Sequence, residues 1–166
     1  MKTLTQQLAQ YAAYHRDRRN VMTHFVGIPL IVLAATILLS RPGIGIGGWF
    51  ISAALAVAVI LTLYYLKLDL RYGLAMGVFL AICLAIAEPL AHETTVATWL
   101  GWGIGLFVIG WVIQFVGHYY EGRKPAFLDD VMGLAIGPLF VVAEAGFLLG
   151  LRKEVEAEIS PAAPGS

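Results

Sequence analysis

The sequence predicts an all-α fold, a polytopic membrane helix bundle with four spans and a fifth segment that either spans or re-enters. Three observations predict it. Hydrophobic residues fill 59% of the 166 positions and charged residues only 13%, about half the charged share of a soluble domain. Mean hydropathy is +0.78. Apolar runs near the ~20 residues that cross a ~30 Å hydrocarbon core recur along the chain, divided by short polar or Gly/Pro-bearing connections.

Before the first run, Leu4, Leu8, Tyr11 and His15 are spaced to share one helical face, so an N-terminal amphipathic helix presses His15 against the bundle or the interface. The first apolar run, Val21 to Leu39, is long enough to span and follows no short cleavable h-region, so it is an anchor helix, not a signal peptide. Ser40-Arg41-Pro42-Gly43 is a turn, Ile44 to Leu66 the second run, Lys67 to Arg71 a charged bend, and Tyr72 to Leu90 the third run. Polar Ala91 to Thr95 leads to the fourth run, Val96 to Val116, and Gly117 to Asp130 is a longer polar connection in which Asp129 and Asp130 are suited to cap the next helix. The fifth run, Val131 to Leu151, contains Gly137-Pro138 and the ionisable Glu144. Irregular backbone at that depth is tolerated only against protein or a wet cavity.

Glycines four apart (Gly73/Gly77, Gly101/Gly105, Gly133/Gly137) predict close helix approach. No linker divides the chain, so residues 1–153 form a single integral membrane domain. Residues 154–166, with alternating Glu154, Glu156 and Glu158 before Pro161 and Pro164, form a polar, frayed tail. Lys2, Arg16, Arg18, Arg19, Lys67, Arg71, Arg123 and Lys124 fall on one side if the first four runs cross, against Arg41 on the other. The N-terminus is therefore cytoplasmic, in the bacterial inner membrane, or at the endoplasmic reticulum if the chain is eukaryotic. A formal net charge of zero without an aromatic-laced basic patch excludes a nucleic-acid partner. The lone Cys83 can form neither an intrachain disulfide nor a thiolate cluster.

Chemistry concentrates at the cytoplasmic ends of the runs. His15 and His24 precede or open the first span and His118 closes the fourth, so all three converge at one depth, while His92 lies at the opposite face. His15 and His24, nine residues apart, can share a ligand only if the chain bends around Asp17 to Asn20. Gln114, His118 and Glu121 form a stripe of amide, imidazole and carboxylate at i, i+4 and i+7. Neutral imidazoles with a nearby carboxylate suit iron, zinc or copper. Asn20 and Gln114 are placed to orient imidazoles, and Arg123 or Lys124 to hold a carboxylate head group. The same residues also permit a haem cytochrome with two histidine axial ligands, or a non-catalytic membrane subunit or lipid-binding protein with interfacial histidines.

Tyr14-His15, Asn20, His24 and Pro29, then Gly-Trp-x-x-Gln-Phe-Val-Gly-His ending at His118, then Glu121, Pro125-Ala126 and Asp129, resemble the small membrane family of the fungal iron-dependent 2-hydroxy fatty acid dioxygenase. The resemblance spans about residues 5 to 150. It implies an Fe2+-dependent α-oxidation that converts a long-chain 2-hydroxy fatty acid and O2 to the acid one carbon shorter and CO2 in contact with membrane lipid. It implies His15, His24 and His118 as iron ligands and Glu121 as a further catalytic residue, either as ligand or as the acceptor that fixes a histidine tautomer. Arg123, Lys124, Asn20 and Gln114 are then the substrate-binding candidates.

Overall fold

The computed structural model describes residues 2–159. Among them are seven α-helices, one short 3-10 turn and one β-hairpin. Helix α1 (Leu4–Ala12) starts at a capping box, in which the Thr3 hydroxyl accepts from the Gln6 amide and the Gln6 side chain accepts from the Thr3 amide. It buries Leu4, Gln7, Leu8 and Tyr11, the predicted apolar face with one amide added. Helix α2 (Arg18–Ser40) begins where the Asp17 carboxylate accepts from the Arg19 amide at 2.8 Å. The chain thus breaks between Ala12 and Arg18, just ahead of where a bend is needed.

The second run departs from expectation. Gly43–Ile46 (β1) and Trp49–Ser52 (β2) pair antiparallel, Ile46 opposite Trp49. Gly47 and Gly48 both take positive φ, the conformation a two-residue type I′ turn demands and glycine supplies. Only Ala53–Leu68 (α3) is helical. Its 16 residues rise about 24 Å, short of a ~30 Å core. Helices α4 (Leu70–His92) and α5 (Val96–Glu121), with α2, are the three that are long and apolar enough to cross a membrane. By length and composition, the described residues thus hold three candidate spans, or four if the last, bent pair is one span, which does not bear out the expected four spans and a fifth segment.

That pair is α6 (Gly133–Leu148) and α7 (Lys153–Ile159), set at 120° to each other. Helix α6 runs through Pro138 without a break, and the Tyr65 hydroxyl donates to the Ala135 carbonyl one turn earlier, at 2.6 Å. The turn comes instead at Leu149–Arg152, with Gly150 and Arg152 at positive φ. Asp129 and Asp130 do not cap α6, whose N-cap position is Met132. Asp129 accepts from Tyr14 and Lys124, and Asp130 from the Met132 amide. The frayed tail is likewise corrected as far as Ile159: Val155 and Ile159, four apart, are buried in the core beside α1, and Arg152 anchors the turn to Asp69 at 3.0 Å. Pro161 and Pro164 lie outside the described residues.

Helices α2 and α5 form the most extensive contact in the fold. Their seam runs through Gly27 of α2 and Gly103, Gly110 and Gly117 of α5. A Cβ on Gly110 would stand 3.0 Å from the Gly27 carbonyl, and one on Gly117 2.5 Å from Asn20 Oδ1. Small residues permit this approach, but at seven-residue spacing. Gly101 and Gly105, in the expected four-residue pair, face open space, whereas Gly73 and Gly77 do meet α3.

Candidate metal centre

The α2–α5 seam sets the depth of His24 and His118, and the break before α2 folds α1 back so that His15 reaches them. All three imidazoles are buried. Each offers a ring nitrogen, and these atoms lie within 4.8 Å of one another. His92 is remote, as expected: it contacts Glu88 and the carbonyl of Ser40, 16 residues beyond His24 along α2 and so about 24 Å away.

Tautomers follow from the partners. His15 Nδ1 lies 2.8 Å from the Tyr11 carbonyl and His24 Nδ1 2.8 Å from the Asn20 carbonyl. A carbonyl only accepts, so Nδ1 carries the proton in both rings. In the neutral rings both Nε2 atoms are then bare lone pairs, and they face each other at 2.8 Å. Two lone pairs at that distance repel unless a proton or a cation lies between them. Burial pushes the His15 imidazole down to about 4, which disfavours the proton at neutral pH. His118 adds a third imidazole, with its ring centroid 5.1 Å from that of His15 and 5.2 Å from that of His24 and with a buried, unpartnered Nδ1. The donor set fits a divalent transition metal held by neutral imidazoles. The three rings pack against one another at 4.3–5.2 Å between centroids, which leaves no plane for a porphyrin between any two.

The surrounding residues hold this geometry. Tyr11 stacks flat on His15, centroids 4.2 Å apart, and Phe140 from α6 packs against both rings, 5.0 Å from Tyr11 and 5.6 Å from His15. Glu121 is not in the imidazole cluster. Its carboxylate accepts from the backbone amides of Arg16 (3.0 and 3.1 Å) and Asp17 (2.8 Å) and from Asn20 Nδ2 (3.1 Å). It therefore pins the end of α5 to the break that carries His15. Asn20 is fully buried between Glu121 and His24, away from open space.

Gln114, buried, stands at the wall of an apolar cleft with His24, His118, Tyr11 and Trp111, and its Nε2 has no partner. Arg123 donates to the Ala13 carbonyl at 3.1 Å and Lys124 to Asp129 at 2.6 Å; neither lines the cleft, although Pro125 and Ala126, next in sequence, do. Glu144, half-buried, borders a separate polar cavity with His15, Arg16 and Glu156. Sequence reasoning missed Tyr11 as a wall of the site, although its i, i+4 spacing to His15 was visible. It also missed the cleft walls Trp111 and Pro138.

Fold and site together define a helical membrane protein with a buried three-histidine centre beside an apolar cleft. The chain belongs to the family described as 2-hydroxy-palmitic acid dioxygenase Mpo1-like, whose model matches residues 1–148. It is 33% identical over 159 residues to the 2-hydroxy-palmitic acid dioxygenase MPO1 of Saccharomyces cerevisiae, a match covering 94% of this chain and 87% of that relative. No solved structure matches it.

Proposed function

We propose that the protein is an Fe2+-dependent dioxygenase of long-chain 2-hydroxy fatty acids. The reaction cleaves the bond between carbons 1 and 2: the 2-hydroxy acid and O2 give the acid one carbon shorter, CO2 and water. Atoms balance, and the hydroxy acid supplies all four electrons that O2 takes up, so no further reductant is required. The observation that carries the reading is the pair of facing Nε2 lone pairs at 2.8 Å, completed by His118 and opening on an apolar cleft. Family membership and the fungal relative's name support the substrate class.

His15, His24 and His118 would hold the metal. When bound, it supplies a Lewis acid for the hydroxy-carboxylate head and a redox partner for O2 at the same point. The chain's own residues do the rest. The Tyr11 and Asn20 carbonyls fix the Nδ1-H tautomers and keep both Nε2 atoms free as ligands. Gln114 Nε2, an amide donor without a partner, binds the carboxylate or hydroxyl of the substrate. Arg123 and Lys124, just ahead of Pro125 in the cleft wall, draw the carboxylate toward the cleft, and Glu121 acts by positioning His15 and Asn20. If α3 crosses together with α2, α4 and α5, the loop charges favour a cytoplasmic site.

Purified protein loaded anaerobically with Fe2+ is expected to consume O2 with 2-hydroxypalmitate and form pentadecanoic acid. His118→Ala should lose both metal and turnover while keeping its helical spectrum. Metal-loaded protein that neither consumes O2 nor shortens the acid would refute the proposal and leave a lipid-binding or subunit role.

A further inference from the structure

The cleft beside His24 and His118 does not end there. It shares Ile31, Val32, Trp111, Leu134 and Pro138 with a second, larger apolar cavity of about 290 Å³. That cavity lies between α2, α3, α4, α5 and α6. Helices α3 and α5 barely touch, so they form its two banks and α2 its floor. Along α2 the lining residues are Ile31, Val32, Ala35, Thr36 and Leu39, a stripe at helical spacing that leads away from the histidines. Its far end is marked by Leu39 and Ala54, and Ala58 stands one turn nearer the site.

Lengths agree with one occupant. From His24 to Leu39 is 15 residues of α2, about 22 Å. A saturated chain of 16 carbons with ~1.5 Å bonds, drawn out in zigzag, is about 19 Å. Apart from the Trp111 indole N–H, the polar groups of the wall are the Thr36 and Tyr65 hydroxyls, and both are already satisfied, by the Val32 and Ala135 carbonyls. Such a wall offers little to a polar ligand and suits methylene groups.

We infer that this second cavity is the acyl channel of the site, and that Ala54 and Ala58 of α3 set the chain length it accepts. The inference rests on the proposed function for the identity of the head group. The substrate lies with its hydroxy-carboxylate at the histidines, its first methylenes against Trp111, and its tail along α2 as far as Ala54. The gap between α3 and α5 lets the tail slide in sideways from the bilayer. Ala58→Phe fills the channel one turn, about 6 Å, above its end, which corresponds to four or so carbons.

The test has a binding arm and a turnover arm, both on metal-loaded protein in detergent. In the anaerobic binding arm, 2-hydroxypalmitate brominated at mid-chain is titrated and the quenching of Trp111 is read as the difference between the parent and Trp111→Phe. Saturable quenching that Ala58→Phe weakens at least tenfold is expected. In the turnover arm, Ala58→Phe should raise KM for 2-hydroxypalmitate at least tenfold and leave that for 2-hydroxylaurate near the parent value. Leu80→Ala, which enlarges the channel from α4, should shift preference to longer chains and serves if the phenylalanine variant does not fold. Equal quenching by a brominated phospholipid would overturn the inference, because the cavity is then an ordinary lipid-contact groove. Turnover without Trp111 quenching, or without any change of chain-length preference in either variant, would also overturn it and leave the dioxygenase reading standing. Specific quenching without turnover of any chain length would support the channel and refute the oxidation.

Discussion

Replacing Glu121 with Gln separates a positioning role from a ligand role. The carboxylate accepts three donors, the amides of Arg16 and Asp17 and the side-chain amide of Asn20. A glutamine of the same shape keeps one oxygen, which can serve Asp17 and Asn20 from the Oε2 position. Its NH2 group then stands where Oε1 accepted from the Arg16 N–H at 3.0 Å, which leaves Arg16 only the 3.1 Å arm to the remaining oxygen, and the negative charge is gone. A hydrogen bond to a charged group contributes about 1.5–3 kcal/mol, and partial exposure at this junction reduces that to about 1–2 kcal/mol. A chain of this size then melts about 2–6 °C lower. Because the break carrying His15 is loosened, metal affinity should fall by about 10–100-fold, the usual effect of removing a residue that orients a ligand. Thermal unfolding in detergent and a chelator-competition titration with Fe2+ read the two effects. Complete loss of metal in a folded Glu121→Gln variant, equal to that of His118→Ala, would make Glu121 a ligand. No change in either quantity would mean that the contact does not hold the site.

Metal-free protein should lose stability in acid through His15, whose imidazole burial lowers from 6.5 to about 4. The folded state prefers the neutral ring, so this contribution is complete above pH 6.5, declines as pH falls toward 4 and is flat below, a total of about 3 kcal/mol. Chemical unfolding from pH 7.5 to 3.5, compared with His15→Asn, checks it; an identical pH slope in the variant would contradict the assignment. Gly110→Leu should destabilise by about 1–3 kcal/mol or more, since its side chain enters the α2–α5 seam against Ile31. Gly101→Leu, facing open space, should leave the melting temperature unchanged, and equal effects of the two would place the seam elsewhere. Trp111→Ala should preserve metal content and weaken binding of long hydroxy acids more than short ones, read by KM against chain length.

The runs that became α2, α4 and α5 were legible because length and hydropathy alone identify a spanning helix. The run from Ile44 was misread because an apolar stretch does not reveal its period when both faces are apolar. Its Gly47-Gly48 pair, between Ile46 and Trp49, was the visible turn signal. Helix α7 was hidden by Glu154, Glu156 and Glu158, whose alternation masks Val155 and Ile159 at i, i+4. The convergence of His15, His24 and His118 was expected from four crossings, and the structure reaches it through the α2–α5 seam and the break before α2. The place of Glu121 was not, because its main partners are backbone amides of Arg16 and Asp17, and any residue can supply those. Nor was the close-approach pattern on α5, since Gly101 and Gly103 look alike until the helix is rotated against α2.

The most direct measurement is the metal stoichiometry of the purified protein, determined after anaerobic Fe2+ loading and desalting, for the parent chain and for His15→Ala, His24→Ala and His118→Ala. One iron per chain in the parent and little in each folded variant is the expected result, because the facing Nε2 atoms need a cation and the third imidazole completes its hold. Folded parent protein without bound metal, or variants that retain it in full, would contradict the three-histidine centre on which the proposed oxidation depends.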